Sequence, residues 1–117
     1  MKTDDKILQS YLYTALWAET DDNEEPLDYN YDLDDFAEEA VSQAECDIVS
    51  FLGLAEGLMD GCDDTRVAHD FWLTRNHHGA GFWDGDYENG DTLTEICQSN
   101  FNTLHPYVGD DDKIYFL

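Results

Sequence analysis

Apolar residues recur at helical intervals in the first half of the chain. A period of three to four positions over residues 3–18 predicts a first helix, capped by Thr3. A longer run of the same period predicts a second helix over residues 33–59, capped by Asp32. Its apolar positions are Phe36, Ala40, Ala44, Ile48, Phe51, Leu52, Ala55 and Met59. Residues 19–31 lack this period, contain Pro26 and predict an irregular connection.

The apolar pattern changes in the second half of the chain. Around residues 76–79, aromatic or aliphatic residues alternate with polar ones. This alternation predicts a β-hairpin with strands at residues 70–75 and 80–84.

A short helix and a second hairpin are predicted to follow. Thr92 and Glu95 have the spacing of a capping box, which predicts a helix to about residue 102. Turn-forming residues 109–112 separate two short strand-like segments in the tail. The predicted fold class is α+β, with two N-terminal helices packed on a small antiparallel β-sheet and a short helix inserted between its hairpins. A length of 117 residues predicts a single domain, 1–117.

The charge of the chain excludes several classes of partner. The sequence has 28 Asp and Glu against 5 Lys and Arg, a formal net charge of -23. Nucleic acid and anionic membranes would repel such a protein, so no direct binding to either is expected. Residues 1–17 have neither signal-peptide nor membrane-span character, and Cys46, Cys62 and Cys97 form no C-x-x-C pair. We therefore expect a cytoplasmic protein with reduced thiols.

The acidic residues are concentrated in one part of the chain. No Lys or Arg occurs between Lys6 and Arg66, a stretch with seventeen acids, thirteen of them in residues 19–47. In a continuous second helix, the pairs Asp34/Glu38 and Asp35/Glu39 would each cost about 0.2–0.5 kcal/mol. A helical wheel predicts an acidic face opposite the apolar stripe, made of Asp35, Glu38, Glu39, Glu45 and Glu56. Plain solvation of a helix face and adaptation to high salt are the alternatives to a binding role.

The density of charge decides whether such a surface can imitate DNA. Duplex DNA carries about one charge per 100 Å² of its surface. A net charge of -23 spread evenly over roughly 6,500 Å² would be about one per 280 Å², which is too dilute. The thirteen clustered acids on a third of that surface would reach about one per 170 Å². Clustering therefore makes imitation of DNA physically reasonable.

Three segments resemble a known group of proteins. Residues 70–84, DFWLTRNHHGAGFWD, are similar to a segment of a family of small acidic bacteriophage proteins of unassigned function. Residues 25–37, EPLDYNYDLDDFA, and 107–115, YVGDDDKIY, extend the likeness over most of the chain. His77 stands where the family often has glycine. The resemblance implies a phage or prophage origin and action in the bacterial cytoplasm.

The function predicted from charge and resemblance is that of a DNA-mimic inhibitor, not an enzyme. Anti-restriction proteins, some anti-CRISPR proteins and uracil-DNA glycosylase inhibitors are phage proteins of comparable size and charge. The predicted partner is a basic host DNA-binding protein, such as a defence nuclease, a restriction or CRISPR effector, or a repair enzyme. The predicted partner-binding residues are Glu19, Asp21, Asp22, Glu24, Glu25, Asp28, Asp32, Asp34, Asp35, Glu38, Glu39 and Glu45.

An alternative function uses the aromatic residues of the predicted hairpin. Trp72 and Trp83, with Phe71 and Phe82, would lie on facing strands and could form a contact patch. The protein would then be a small protein-binding module whose acidity serves only solubility.

Other chemistries have weaker signals. Residues 84–95 place Asp84, Asp86, Glu88 and Glu95 as in a calcium loop, but Asn89 stands where the turn needs glycine. The histidines and cysteines lack the spacing of a zinc site. No nucleophile elbow, P-loop or dinucleotide-binding motif is present. We therefore predict no catalytic residues, no metal and no cofactor.

Overall fold

The computed structural model of the protein describes residues 5–21, 24–59, 62–78, 80–84 and 87–117. These residues form a mostly helical fold with one two-stranded sheet. The helices are α1 (Asp5–Ala18), α2 (Glu38–Leu54), α3 (Asp64–Arg75) and α4 (Gly90–Asn100), and the strands are β1 (Pro106–Val108) and β2 (Ile114–Phe116). Short 3₁₀ turns occur at Leu27–Tyr29, Leu33–Asp35 and Phe82–Asp84. The prediction of two helices packed on a sheet of two hairpins is therefore wrong.

The segment predicted as the first strand of a hairpin is the central helix α3. Asp63 caps this helix, since its carboxylate accepts hydrogen bonds from the Thr65 N–H at 3.0 Å and the Thr65 hydroxyl at 2.8 Å. At the other end, Asn76 Nδ2 donates to the Trp72 carbonyl at 3.1 Å, and His77 has a left-handed φ of 57°. The turn-like residues after Arg75 thus stop a helix and do not join two strands.

Burial on nearly every side explains why the periodicity of α3 misled the prediction. The helix packs against α1, α4 and the 3₁₀ turn Phe82–Asp84. Its polar residues Asp70, Thr74 and Arg75 are buried together with its apolar ones. A pattern that assigns polar residues to solvent therefore fails at these three positions.

Aromatic rings from three helices meet in the core. Tyr11 of α1, Phe51 of α2 and Phe71 of α3 are each almost completely buried. The Phe71 ring stacks on the Phe51 ring with a centroid distance of 4.5 Å. Trp72 also lies in this core, with its ring edge-on to Tyr11 at 5.3 Å. Contacts between aromatic rings thus join three of the helices.

Helix α2 begins five residues later than predicted and ends at Leu54. Asp32 caps the 3₁₀ turn Leu33–Asp35, since its side chain accepts from the Asp34 N–H at 3.0 Å. The chain then runs extended through Ala37, whose N–H donates to the Ile114 carbonyl at 2.9 Å. Pairing with β2 therefore interrupts a helix that the apolar period alone would have continued.

The first helix and the tail hairpin agree with the predictions. Helix α1 ends at Ala18 as expected, while the predicted cap Thr3 lies outside the described residues. Strands β1 and β2 are antiparallel, with Tyr107 opposite Tyr115. Helix α4 starts two residues before the predicted Thr92. In the described part of the chain, no helix has the length and apolar character needed to cross a membrane.

Candidate functional site

The average charge density of the folded protein is low. Its accessible surface is 6813 Å², so a net charge of -23 corresponds to about one charge per 300 Å². Duplex DNA has about one per 100 Å². A DNA-like surface therefore depends on which carboxylates are exposed and on what they contact.

The twelve predicted partner-binding residues fall into two main groups. The side chains of one group accept hydrogen bonds from other groups of the protein: Glu19, Asp21, Glu25, Asp32 and Asp35. The side chains of the other are exposed and make no hydrogen bond or ion pair with the described residues: Glu24, Asp28, Asp34, Glu38 and Glu39. Glu45 is half-buried, and Asp22 lies outside the described residues.

Glu19 holds the end of α1 against α3. Its Oε2 accepts a 2.8 Å hydrogen bond from the indole Nε1 of Trp72 and lies 2.6 Å from Nε2 of His78. The carboxylate is mostly buried by these contacts. Glu19 is therefore a structural residue, and the prediction did not foresee its two distant partners.

The loop after α1 is closed by its own acidic residues. The Asp21 N–H donates to the Glu25 carbonyl at 2.8 Å, and the Glu25 N–H donates to Asp21 Oδ1 at 3.1 Å. Asn30 Nδ2 in turn donates to Glu25 Oε2 at 3.2 Å. Glu24 sits within this loop with a left-handed φ of 64°. The predicted irregular connection is thus a hydrogen-bonded structure that places Asp28 next to α1.

Three carboxylates line a surface cavity of about 470 Å³, which we call the acidic cavity. They belong to Asp28, Asp32 and Asp34, from two successive 3₁₀ turns. The remaining described lining residues are Tyr13, Leu16, Tyr31 and Leu33. Aromatic and aliphatic walls thus stand beside three negative groups.

Glu38 and Glu39 lie beside a neighbouring depression of about 380 Å³. Phe36, Ala37, Lys113 and Tyr115 also line it. The Tyr115 hydroxyl donates to Asp111 at 2.7 Å, and this hydrogen bond raises the pKa of Tyr115 to about 12. The tyrosine is therefore neutral at physiological pH. Lys113 supplies a positive charge in the lining of the same depression as Glu38 and Glu39.

The predicted acidic face of a continuous helix is wrong. Because α2 begins at Glu38, the pairs Asp34/Glu38 and Asp35/Glu39 are not neighbours on one helix, so the predicted repulsion does not apply. Glu38 and Glu39 instead occupy the first turn of α2, where the helix dipole favours negative charge. These two carboxylates therefore stabilise the start of α2, whether or not they also bind a partner.

The aromatic hairpin of the alternative function does not form. Trp72, Phe71 and Phe82 are completely buried, whereas Trp83 is 49% exposed. The prediction also missed the exposed aromatic residues of α1, Tyr13 and Trp17, which are 53% and 42% exposed. Their four-residue spacing beside the apolar stripe of the first helix was the signal that could have revealed them.

A second polar cluster lies on α3. The buried Asp70 carboxylate accepts a 2.7 Å hydrogen bond from the Tyr87 hydroxyl and lies 3.0 Å from His69 Nδ1. Burial raises the pKa of Tyr87 well above its ordinary value, and the hydrogen bond to Asp70 adds a smaller effect in the same direction. Arg66 lies 3.8 Å from the same carboxylate. The cluster links α3 to the segment before α4 and is accounted for by packing.

No three His, Cys, Asp or Glu residues within the described ranges are grouped so that they could hold a metal ion. In the calcium-like segment, Asp86 lies outside those ranges, and Glu95 is exposed on α4.

No protein-family model, curated protein or solved structure matches this chain. The resemblance to small acidic bacteriophage proteins therefore stays a prediction based on the segments quoted above.

Proposed function

We propose that the protein is a DNA-mimic inhibitor that docks its acidic surface into the nucleic-acid-binding site of a basic, DNA-binding host protein. Four exposed carboxylates carry the proposal: Asp28, Asp34, Glu38 and Glu39. They occur within twelve consecutive residues and have no ion-pair partner among the described Lys and Arg side chains. A partner that supplies Lys or Arg would neutralise them.

The separation of structural from unpaired acids supports this function. Glu19 and Asp47 are held by Trp72, His78 and Arg75 and give the fold its interior contacts. The four carboxylates above make no such contacts, so a partner can approach them without breaking the fold. Complementary charge would give fast association that weakens as salt screens it.

A charge-matched pair of variants tests the proposal. The test variant carries Asp28→Asn, Asp34→Asn, Glu38→Gln and Glu39→Gln. The control carries the same number of neutralised acids at exposed positions elsewhere: Glu56→Gln, Glu88→Gln, Asp91→Asn and Glu95→Gln. The two variants have the same net charge as each other, so a difference in capture between them depends on where the neutralised carboxylates lie.

The measurement is capture of DNA-binding proteins from a bacterial lysate at low salt, followed by elution with duplex DNA. Wild type and control should retain a protein that duplex DNA releases. The test variant should retain about tenfold less of it, because it lacks the charges that speed association. Equal capture by test and control variants, or a captured protein that duplex DNA fails to release, would contradict DNA mimicry.

The half-exposed Trp83 favours a second candidate function, a module that binds a partner through aromatic contacts. In that case Trp83→Ala should abolish capture, while the four carboxylate changes should leave it intact. The opposite pattern is expected for a DNA mimic.

A further inference from the structure

We propose that the acidic cavity binds the side chain of an arginine presented by the partner protein. This inference rests on the proposed function, because it names the group that the acidic surface receives. The cavity of about 470 Å³ lies within the range of about 300–1,000 Å³ typical of sites for small ligands. One long side chain can therefore enter it.

The walls of the cavity suit the apolar part of such a side chain. Leu16 is almost completely buried, Leu33 is half-buried, and the Tyr13 ring is 53% exposed at one side. The methylene groups of an arginine would pack on Leu33, which is the partly exposed leucine of the wall. Its planar guanidinium would lie against an aromatic face, where cation–π attraction acts.

The carboxylates of the cavity suit the charged end. The Asp28 and Asp34 side chains make no hydrogen bond within the described residues. Asp32 uses Oδ1 to accept from the Asp34 N–H at 3.0 Å, which leaves its second oxygen for a ligand. The described lining residues include no Lys or Arg, so the cavity wall itself holds no cation that would compete with a positively charged ligand.

The carboxylates are held in place before any ligand arrives. Asp32 and Asp35 cap each other, with the Asp32 N–H donating to Asp35 Oδ2 at 2.8 Å. The preceding turn is anchored by the fully buried Leu27, whose carbonyl accepts from the Tyr31 N–H at 3.0 Å. Little ordering of the cavity is therefore needed on binding, which favours affinity.

Arginine fits these features better than lysine. Its guanidinium presents five N–H donors in a planar fork that can serve two carboxylates at once, and it stacks on aromatic rings. The ammonium of lysine is a point charge that holds its water more strongly. The cavity should therefore discriminate between two cations of equal charge.

The test is an NMR titration of the whole protein with N-acetyl-arginine amide and with N-acetyl-lysine amide at low salt. Arginine should shift the backbone amides lining the cavity, in residues 13–16 and 28–34, with about threefold or higher affinity than lysine. Tyr13→Ala should weaken arginine binding about two- to fivefold, whereas Tyr13→Phe should retain it. The control Tyr29→Ala should change nothing, because Tyr29 is 72% exposed in the same segment but does not line the cavity.

The outcomes separate this inference from the proposed function. Equal affinities for the two amides, or shifts spread over all exposed acids, would overturn the arginine site even if duplex-competed capture persists. Localised arginine binding without duplex-competed capture would support the site and overturn DNA mimicry.

Discussion

Arg75 donates through Nη1 to the Asp47 carboxylate at 2.7 Å and to the Tyr11 hydroxyl at 2.9 Å. Its Nε and Nη2 donate to the Asn102 carbonyl at 3.0 and 2.7 Å. Arg75 is 3% exposed, and its guanidinium lies over the rings of Phe71 and Phe101. One arginine therefore joins α1, α2, α3 and the segment after α4.

Removing this arginine should destabilise the protein strongly. Arg75→Met retains much of the packing but leaves the Asp47 carboxylate without its partner, so we expect the free energy of unfolding to fall by about 3 kcal/mol. Urea unfolding followed by tryptophan fluorescence measures the change. Arg66→Met is the control, since Arg66 is half-exposed and its loss should cost about 1 kcal/mol or less. An equal fall in the free energy of unfolding in both variants would show that the buried contacts of Arg75 stabilise the protein no more than the exposed contacts of Arg66.

Glu19 should behave as a structural residue and not as a partner contact. Glu19→Gln removes the charge that accepts from Trp72, and we expect a loss of about 1–2 kcal/mol in the free energy of unfolding. Capture of the DNA-binding partner should not change in the folded variant. Glu24→Gln, at an exposed position, should affect stability by less than about 0.5 kcal/mol. If the Glu19→Gln protein is folded but no longer captures the partner, Glu19 is a partner contact and this prediction is wrong.

The cysteines should differ widely in reactivity. Burial raises the pKa of the Cys97 thiol to about 12, whereas Cys46 is exposed. A thiol reagent should therefore modify Cys46 rapidly and Cys97 about a thousandfold more slowly or worse, through unfolding. Peptide mass spectrometry after timed labelling assigns the sites, with Cys46→Ser as the control. Rapid modification of Cys97 in native protein would contradict its burial.

The cap of α3 should make stability depend on pH under acid conditions. The Thr65 hydroxyl and N–H hold the pKa of Asp63 below its ordinary value of 3.8. Because the folded-state pKa is lowered, the stabilisation is complete above 3.8 and is lost as the pH falls through the folded-state value. Asp63→Asn still caps but does not titrate, so its melting temperature should fall less steeply with acid.

A second variant checks the cause of that shift. Thr65→Val removes the hydroxyl donor, so the pKa of Asp63, measured by NMR titration, should move up toward its ordinary value. The cap is not a source of acid sensitivity if the melting temperatures of wild type and Asp63→Asn fall equally with acid. An unchanged pKa of Asp63 in Thr65→Val would rule out the hydroxyl as the cause of the shift.

Local signals were sufficient for the elements whose boundaries are set by their own residues. The apolar period of α1 and the turn residues between β1 and β2 lie within the elements they predict. The start of α2 depends instead on Ala37 pairing with Ile114, far away in sequence. Helix α3 depends on burial of Asp70, Thr74 and Arg75, whose partners come from other elements. No periodicity within a segment can report such partners.

The candidate site divides in the same way. Net charge and its concentration in residues 19–47 follow from the sequence alone, because charges add whatever the fold. Tertiary structure decided that Glu19 is held by Trp72 and His78 while Asp28 and Asp34 face a cavity beside Tyr13. The physical reason is that a carboxylate is available to a partner only when packing leaves it exposed and the protein's own groups leave at least one of its oxygens without a hydrogen bond.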